Sequence, residues 1–437
     1  MPENISLQTY NLKVIVQETG LKPETLRAWE RRYGLPRPHR SQGGHRLYSN
    51  RDIEIVKWLM ARQGEGLSIS NAVDLWNTLE KQGQDPLQMP GYSHPPTTTL
   101  PAEIGAIENL RDSWVAACKD FDEQRAERVL AQAFALYPPE TVCIDLIGKG
   151  LTQFGDGWYA GEITVQQEHF ASELAMRRLE SLIAAAPQPT RPGRILVAAP
   201  PEEQHDFILL VITLLLRRRG LDVVYLGSNV PLHNLEDAIQ KTQPRIVVSA
   251  AQQLHTAARL LEMAKFLQKI SIPVAYGGRV FNLTPGLRKR IPGYYLGDDL
   301  GEAPEVIEAK LVVSNHMPPV EQASKDYEQA LEHFRKHLPA IEARTWQTLG
   351  GKIAHSHLAT ATMSLSRDIE AALVLGDMAY LGNEIQWVDG LLVNHEIPRQ
   401  VLRNYLSVYR QAALEYLDER GAPVLAWLEM VSQATER

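Results

Sequence analysis

Cysteine is nearly absent: two thiols, Cys118 and Cys143, serve 437 residues. Two thiols cannot build a disulfide framework or a four-thiolate metal site, so a reducing, cytoplasmic location is expected. Long apolar runs are missing as well. The run Phe207 to Leu216 is about half of what a bilayer span requires, and the first residues, with Asn4, Gln8 and Asn11, lack the apolar core of a signal peptide. No membrane partner is expected. Nor does positive charge dominate: 45 Lys and Arg face 52 Asp and Glu, for a net −7 and a pI near 6.0. That balance excludes a protein that coats nucleic acid in bulk.

What charge there is lies unevenly. Residues 1–62 carry 11 Lys and Arg against 6 Asp and Glu, a local +5, which leaves −12 for the rest. A basic end on an acidic body suggests that this end meets an anion. Leu12 to Gly20 reads as a short helix stopped by glycine, and Pro23 suits the first position of a second helix, Pro23 to Tyr33. Two short helices joined by a tight turn make a helix-turn-helix, whose second helix can enter the major groove of DNA. That helix, entered from Lys22, bears Thr25, Arg27, Arg31 and Arg32 beside apolar Leu26, Ala28 and Trp29. Gly43-Gly44 then permit a hairpin turn, a wing placing His45, Arg46 and Tyr48 near phosphates. For any single arginine a solvated basic face is the simpler account.

Prolines 86, 90, 95, 96 and 101, with Thr97-Thr98-Thr99, mark 81–102 as a semi-rigid linker. Helical periodicity returns at 103–119, 121–136, 138–158 and 162–186, enough for a four-helix bundle over 103–187. Five short β-rich runs follow, Arg194 to Ala199, Asp222 to Leu226, Arg245 to Ser249, Pro273 to Tyr276 and Tyr294 to Leu296. They alternate with helical patterns at 207–219, 232–241, 254–269 and 283–290. The alternation predicts a doubly wound, flavodoxin-like parallel sheet over 192–313, with ligands beyond the carboxyl ends of its strands. His205 follows the first strand and falls at that edge. Its imidazole can coordinate a metal through one nitrogen while Glu203 holds the other N–H; a loop histidine that meets solvent or caps the next helix fits the position equally.

Three sets of residues resemble known families. Thr25-Leu26-Arg27-Ala28-Trp29-Glu30-Arg31-Arg32-Tyr33-Gly34 with Gly43-Gly44-His45-Arg46-Leu47-Tyr48 looks like the winged helix of the MerR family, closest to the branch with a B12 domain, the CarA/CarH/LitR photoreceptors. That resemblance implies a dimer or larger homo-oligomer reading an inverted repeat in double-stranded operator DNA. Glu203-Gln204-His205 resembles the start of the Glu/Asp-x-His-x-x-Gly motif of base-off, His-on cobalamin proteins, which implies His205 as the cobalt ligand. Ser249 and Gly277-Gly278 then stand where the family houses the nucleotide tail. The motif's glycine is Ile208 here. Trp158, followed after nine residues by Glu168-His169, is similar to the Trp-x9-Glu-His signature of the light-sensing regulators, in which the tryptophan covers the upper, adenosyl face. Some relatives carry a histidine after that tryptophan; this chain has Tyr159, so no bis-histidine product is expected through that position.

The chain is therefore expected to be a multidomain α and α/β protein. A winged helix-turn-helix (1–80), a bundle that caps cobalamin, and the cobalamin-binding sheet would be followed by a helical domain at 320–437 with amphipathic runs at 321–337, 339–355, 366–390 and 397–417. The expected function is a transcriptional regulator, a repressor rather than an enzyme, that binds adenosylcobalamin and responds to light through loss of the upper ligand and a change of oligomeric state. Two alternatives stand beside it: a MerR-type regulator with a vestigial B12 fold that senses another ligand, a bilin or a protein partner through its C-terminal helices, and a corrinoid carrier for methyl transfer. In the last domain, His333 and His337 are spaced i, i+4 and could share a metal, but exposed helix histidines beside Arg335 and Lys336 are the simpler account. His355 and His357 with Trp346 and Trp387 could line a pocket for a second chromophore.

Overall fold

The computed structural model describes residues 9–19, 21, 23–40, 46–64, 69–81, 85–88, 107–312, 318, 320–394 and 398–436. The chain divides into two compact units, Met1–Ile104 and Gly105–Arg437.

The first unit is the expected winged helix. A short strand β1 (Thr9–Tyr10) precedes α1 (Leu12–Thr19) and α2 (Pro23–Tyr33), and the wing follows as β2 (His39–Arg40) and β3 (Arg46–Ser49). Strand β3 pairs antiparallel with both of the others, Thr9 opposite Ser49 and His39 opposite Leu47. Helices α3 (Asn50–Gly64) and α4 (Ile69–Lys81) close the core around Ile15, Leu26, Trp29, Trp58 and Trp76. The turn Gly43-Gly44 lies outside the described residues. Part of the expected linker folds: Pro86–Gln88 form a 3-10 turn with Leu87 buried. Arg51 holds Asp85 through two hydrogen bonds, and Asp85 accepts from the Leu87 N–H, so proline content alone misread this stretch.

In the second unit, α5 (Ile107–Lys119), α6 (Glu123–Leu136), α7 (Pro139–Thr141), a π-helix Val142–Gly148, α8 (Lys149–Tyr159) and α9 (Val165–Ala184) build the bundle. The expected uniform helix over 138–158 is thus interrupted by π geometry. Thr164 caps α9 through a reciprocal pair with Gln167.

The sheet contains β4 (Arg194–Val197), β5 (Asp222–Tyr225), β6 (Ile246–Ala250), β7 (Val274–Gly277) and β8 (Tyr294–Tyr295), in the order β5-β4-β6-β7-β8 and all parallel. This is the flavodoxin-like order, with its reversal between β4 and β6. Intervening helices are α10 (Phe207–Arg218), α11 (Leu235–Thr242), α12 (Leu254–Lys269), α13 (Arg279–Leu283) and α14 (Ala303–Val312). The helix expected at 283–290 is instead α13 followed by a 3-10 turn at Pro285–Lys289. Helix α10 is apolar all round because it is covered on two sides. Leu209, Ile212 and Leu216 face the sheet core, whereas Leu210, Val211, Leu214 and Leu215 pack with Cys143 and Leu179 of the bundle. At about 1.5–3 kcal/mol for each fully buried side chain of this size, that second stripe is ample to hold the bundle on the sheet domain.

The last residues form α15 (Lys325–Leu349), α16 (His355–Leu375), α17 (Gly382–Asn394), α18 (Arg399–Tyr416) and α19 (Ala422–Glu436). A break expected near Pro339 does not occur; α15 runs through it. This domain shares one continuous core with the sheet domain, in which Leu260, Leu261 and Leu267 of α12 meet Leu365, Ile369 and Ala372 of α16. One expectation for its histidines needs correction. His333 is buried, its Nε2 accepting the Asp418 N–H at 3.2 Å. His355 stacks on Trp346 with ring centres 4.7 Å apart, but His355 and His357 are both exposed at the start of α16, and the Trp387 side chain lies outside the described residues.

Candidate functional site

The loops after β4 and β6 flank the point where strand order reverses, the crevice in which an open parallel sheet places its ligands. The β4 loop carries Glu203 and His205. It is pinned by Asn229, whose side chain accepts the Glu202 N–H at 2.8 Å and whose own N–H donates to Glu203 O at 2.8 Å. Glu202 adopts φ 67°, a left-handed turn that swings the next side chain inward.

Glu203 is fully buried and saturated with donors. Its Oε1 accepts the His205 backbone N–H at 2.9 Å and His205 Nδ1 at 2.8 Å; its Oε2 accepts the Gln252 N–H at 2.8 Å and the Thr256 hydroxyl at 2.7 Å. Burial opposes the charge, but the hydrogen bonds from His205 and Thr256 and the two backbone N–H groups outweigh it and hold the carboxyl below its ordinary range. An ionised carboxylate only accepts, so Nδ1 must bear the proton, and the lone pair is left on Nε2. The ring is 61% exposed. The geometry thus presents an oriented nitrogen donor at the crevice mouth. The hydrogen bond to Glu203 outweighs burial and raises the imidazole pKa, with the charges of Glu203, Glu168 and Asp206 acting in the same direction.

Glu168, at the start of α9, accepts from the Ser172 hydroxyl at 2.6 Å and contacts His169 Nδ1 at 2.8 Å. His169 is exposed, and Trp158 is half-buried in the last turn of α8. Gly278 has φ 118°, and a Cβ there would overlap the Ala251 carbonyl, so only glycine fits this turn after β7. At Gly277 a Cβ would meet only Leu296 Cβ at 4.0 Å. Ser249 is buried, its hydroxyl 4.0 Å from Met263 Sδ of α12. Ile208, in place of the motif glycine, is half-buried against the sheet core. Sequence reasoning missed Thr256 and the Gln252 N–H; both lie about fifty residues from Glu203 in the chain, and a threonine in a helix's first turn ordinarily reads as a cap.

Among the described residues no group of three His, Cys, Asp or Glu side chains could hold a metal ion. A single oriented imidazole suits a metal held in a macrocycle, whose ring nitrogens supply other ligands. The donor set fits a corrinoid in this sense: one oriented imidazole, a carboxylate behind it, and glycine turns that bring backbone close to the crevice.

In the first unit Arg27, Arg31 and Arg32 are exposed on α2 and Thr25 is half-buried. Arg46 pairs with Glu30 at 2.8 Å. Tyr48 is a correction: it is fully buried, donating to Glu30 Oε1 at 2.5 Å, and is a core residue rather than a phosphate contact. Burial, then the bond to Glu30, raises its pKa. Lys22 and His45 lie outside the described residues.

Three segments of the chain match known protein families. Residues 10–78 match the MerR HTH family regulatory protein model, and residues 110–183 and 193–309 match two models described as B12 binding domain. The HTH-type transcriptional repressor CarH of Myxococcus xanthus is 33% identical over 240 residues, 55% of this chain and 78% of CarH. CarA of the same organism is 31% identical over 243 residues, 55% of this chain and 75% of CarA. Among solved structures, the Methanosarcina barkeri monomethylamine corrinoid protein covers 46% of this chain and 98% of its own, at 18% identity and a TM-score of 0.41. No helix among the described residues is long and apolar enough to cross a membrane.

Proposed function

We propose, from the premise that this chain belongs to the family of HTH-type transcriptional repressors that includes CarH and CarA, a repressor whose hold on DNA depends on adenosylcobalamin and is relieved by light. The observation that carries it is the Glu203–His205 pair at the strand-order reversal, with Nδ1 committed to a buried carboxylate and the imidazole ring 61% exposed. A MerR-type regulator with two B12-binding domains implies both a corrinoid cofactor and DNA binding.

In this reading His205 would hold the cobalt of a corrinoid. Trp158 would cover the opposite side of the crevice, with Glu168 and His169 along that wall, while Ser249, Gly277 and Gly278 would line the route of the nucleotide tail. The bound group supplies a cobalt–carbon bond that a photon can break. The residues of the chain do the rest. The stripe Leu210, Val211, Leu214 and Leu215 keeps the bundle on the sheet domain, and the filled crevice favours an assembly surface between copies of the chain. Winged helices that act together grip an operator at high effective concentration, with Arg27, Arg31 and Arg32 on α2, Arg46 on β3 and, from the sequence alone, Lys22 and His45 meeting the duplex. A crevice emptied beneath Trp158 would shift the population toward a looser assembly.

The test is operator affinity, assembly size and visible absorption measured on one adenosylcobalamin-supplemented sample in the dark and after green light. Tight dark binding that weakens on illumination as the assembly shrinks is expected. Affinity and size that ignore light would overturn the light response, and an absence of corrinoid absorption would overturn the cofactor.

A further inference from the structure

Beside the cofactor crevice, the C-terminal helical domain reaches both of its walls. On the sheet side, α16 packs along α12 through the continuous core, and His255, buried in the first turn of α12, lies 3.8 Å from Asp368 of α16. The next residue is Thr256, whose hydroxyl holds Glu203. The joint is stapled at its other end by Arg290, whose guanidinium donates to the carbonyls of Gln322 at 2.9 Å and Glu321 at 3.4 Å.

On the bundle side, α17 meets the end of α8 one residue beyond Trp158. Asn394 Nδ2 donates to the Tyr159 carbonyl at 2.9 Å. The Tyr159 ring lies against Gly390, where a Cβ would come 2.9 Å from the ring's Cζ and closer still to its hydroxyl. The turn after α8 is as close, since a Cβ at Gly161 would lie 2.8 Å from the Asn394 carbonyl oxygen. Two glycines, one on each side, permit this approach. A helix whose backbone carbonyl is held and whose next ring is seated cannot tilt without moving α17.

We infer that the C-terminal helical domain is an intramolecular brace that positions the Trp158 wall, with Tyr159, Gly390 and Asn394 as its positioning residues. The inference rests on the proposed function for what Trp158 covers, but the brace itself is a property of the cofactor-free chain. It holds the wall in register with His205 through α12 and α17 whether or not the crevice is filled. Any displacement of α8 must be transmitted to α17.

The experiment compares the full chain with Gly390→Leu, Asn394→Ala and the double variant Gly390→Leu with Tyr159→Ala. In cofactor-free protein, amide hydrogen exchange over 155–163 should quicken at least tenfold in Gly390→Leu, with the amides of β4 and β6 unchanged. Removal of the ring in the double variant makes room for leucine and should return exchange toward the parent rate. With adenosylcobalamin supplied, Gly390→Leu should keep the absorption of the imidazole-ligated cofactor yet release it in the dark at least tenfold faster. Exchange over 155–163 within twofold of the parent overturns the brace, as does a quickening that spreads equally to β4 and β6. A parent chain that takes up no corrinoid overturns the cofactor reading, while exchange in that same protein still decides the brace.

Discussion

Replacement of Glu203 by glutamine separates a carboxylate that orients His205 from one that is merely buried. The two side chains have the same shape, but the carboxylate offers acceptors to four donors, and the amide offers one oxygen and one NH2. If the NH2 takes the place of Oε2, it faces the Gln252 N–H. If it takes the place of Oε1, it faces the His205 N–H and can donate to Nδ1, which forces the proton onto Nε2 and removes the lone pair from the crevice. Either orientation orphans a buried backbone N–H, at about 1–3 kcal/mol. Outer partners of a metal-binding histidine alter affinity by roughly 10–100-fold. Glu203→Gln should therefore weaken corrinoid uptake by that factor and lower the urea midpoint of the cofactor-free chain. The pH profile has a defined sign. Protonated Nε2 cannot ligate, and His205 titrates above its ordinary value because of Glu203. Uptake in the parent should fall as pH drops through that raised pKa, and in Glu203→Gln the midpoint should move down. Titration by absorption between pH 5 and pH 8 reads both. Affinity within twofold of the parent and an unmoved midpoint would refute the argument that Glu203 sets the tautomer.

In the winged helix, Tyr48→Phe should cost about 1 kcal/mol of stability through the lost bond to Glu30 and leave the salt dependence of operator binding unchanged. Arg31→Ala should leave stability alone and weaken binding, with a shallower salt slope; fluorescence anisotropy at several salt concentrations distinguishes them, and the reverse pattern would restore Tyr48 to the phosphate contacts. Burial, with Arg367 nearby, depresses His255 to about 4. Its unfolded form binds a proton at higher pH than its folded form does, so its contribution is complete above the ordinary histidine range and is lost as pH falls toward 4. The joint of α12 and α16 should therefore loosen between about pH 6.5 and pH 4, by up to roughly 3 kcal/mol. Hydrogen exchange along α12 should follow that titration, and His255→Phe should flatten it.

Local signals made much of this molecule legible before its structure was known. The strands were readable because short apolar runs buried on both faces admit few other uses, and α10 because an apolar stretch too short for a bilayer must be covered on several sides. His205 was readable from its place after β4. What escaped had the opposite character. Thr256 and the Gln252 N–H act on Glu203 across 53 and 49 residues, and no periodicity carries such a pairing. Tyr48 belongs to a strand in which a phenol can face core or solvent with equal propriety, and only the partner Glu30 decides. Pro339 forfeits one hydrogen bond, yet the core contacts of α15 on either side, Phe334 and Ile341, outweigh it. The docking of α17 on Tyr159 rests on Gly390 and Gly161, whose only signal is the lack of a side chain. Long-range polar partners and close glycine contacts thus decide how the Glu203–His205 loop and the end of α8 are held. For that reason the residues most worth replacing in this chain are the ones around the expected ligands rather than the ligands themselves.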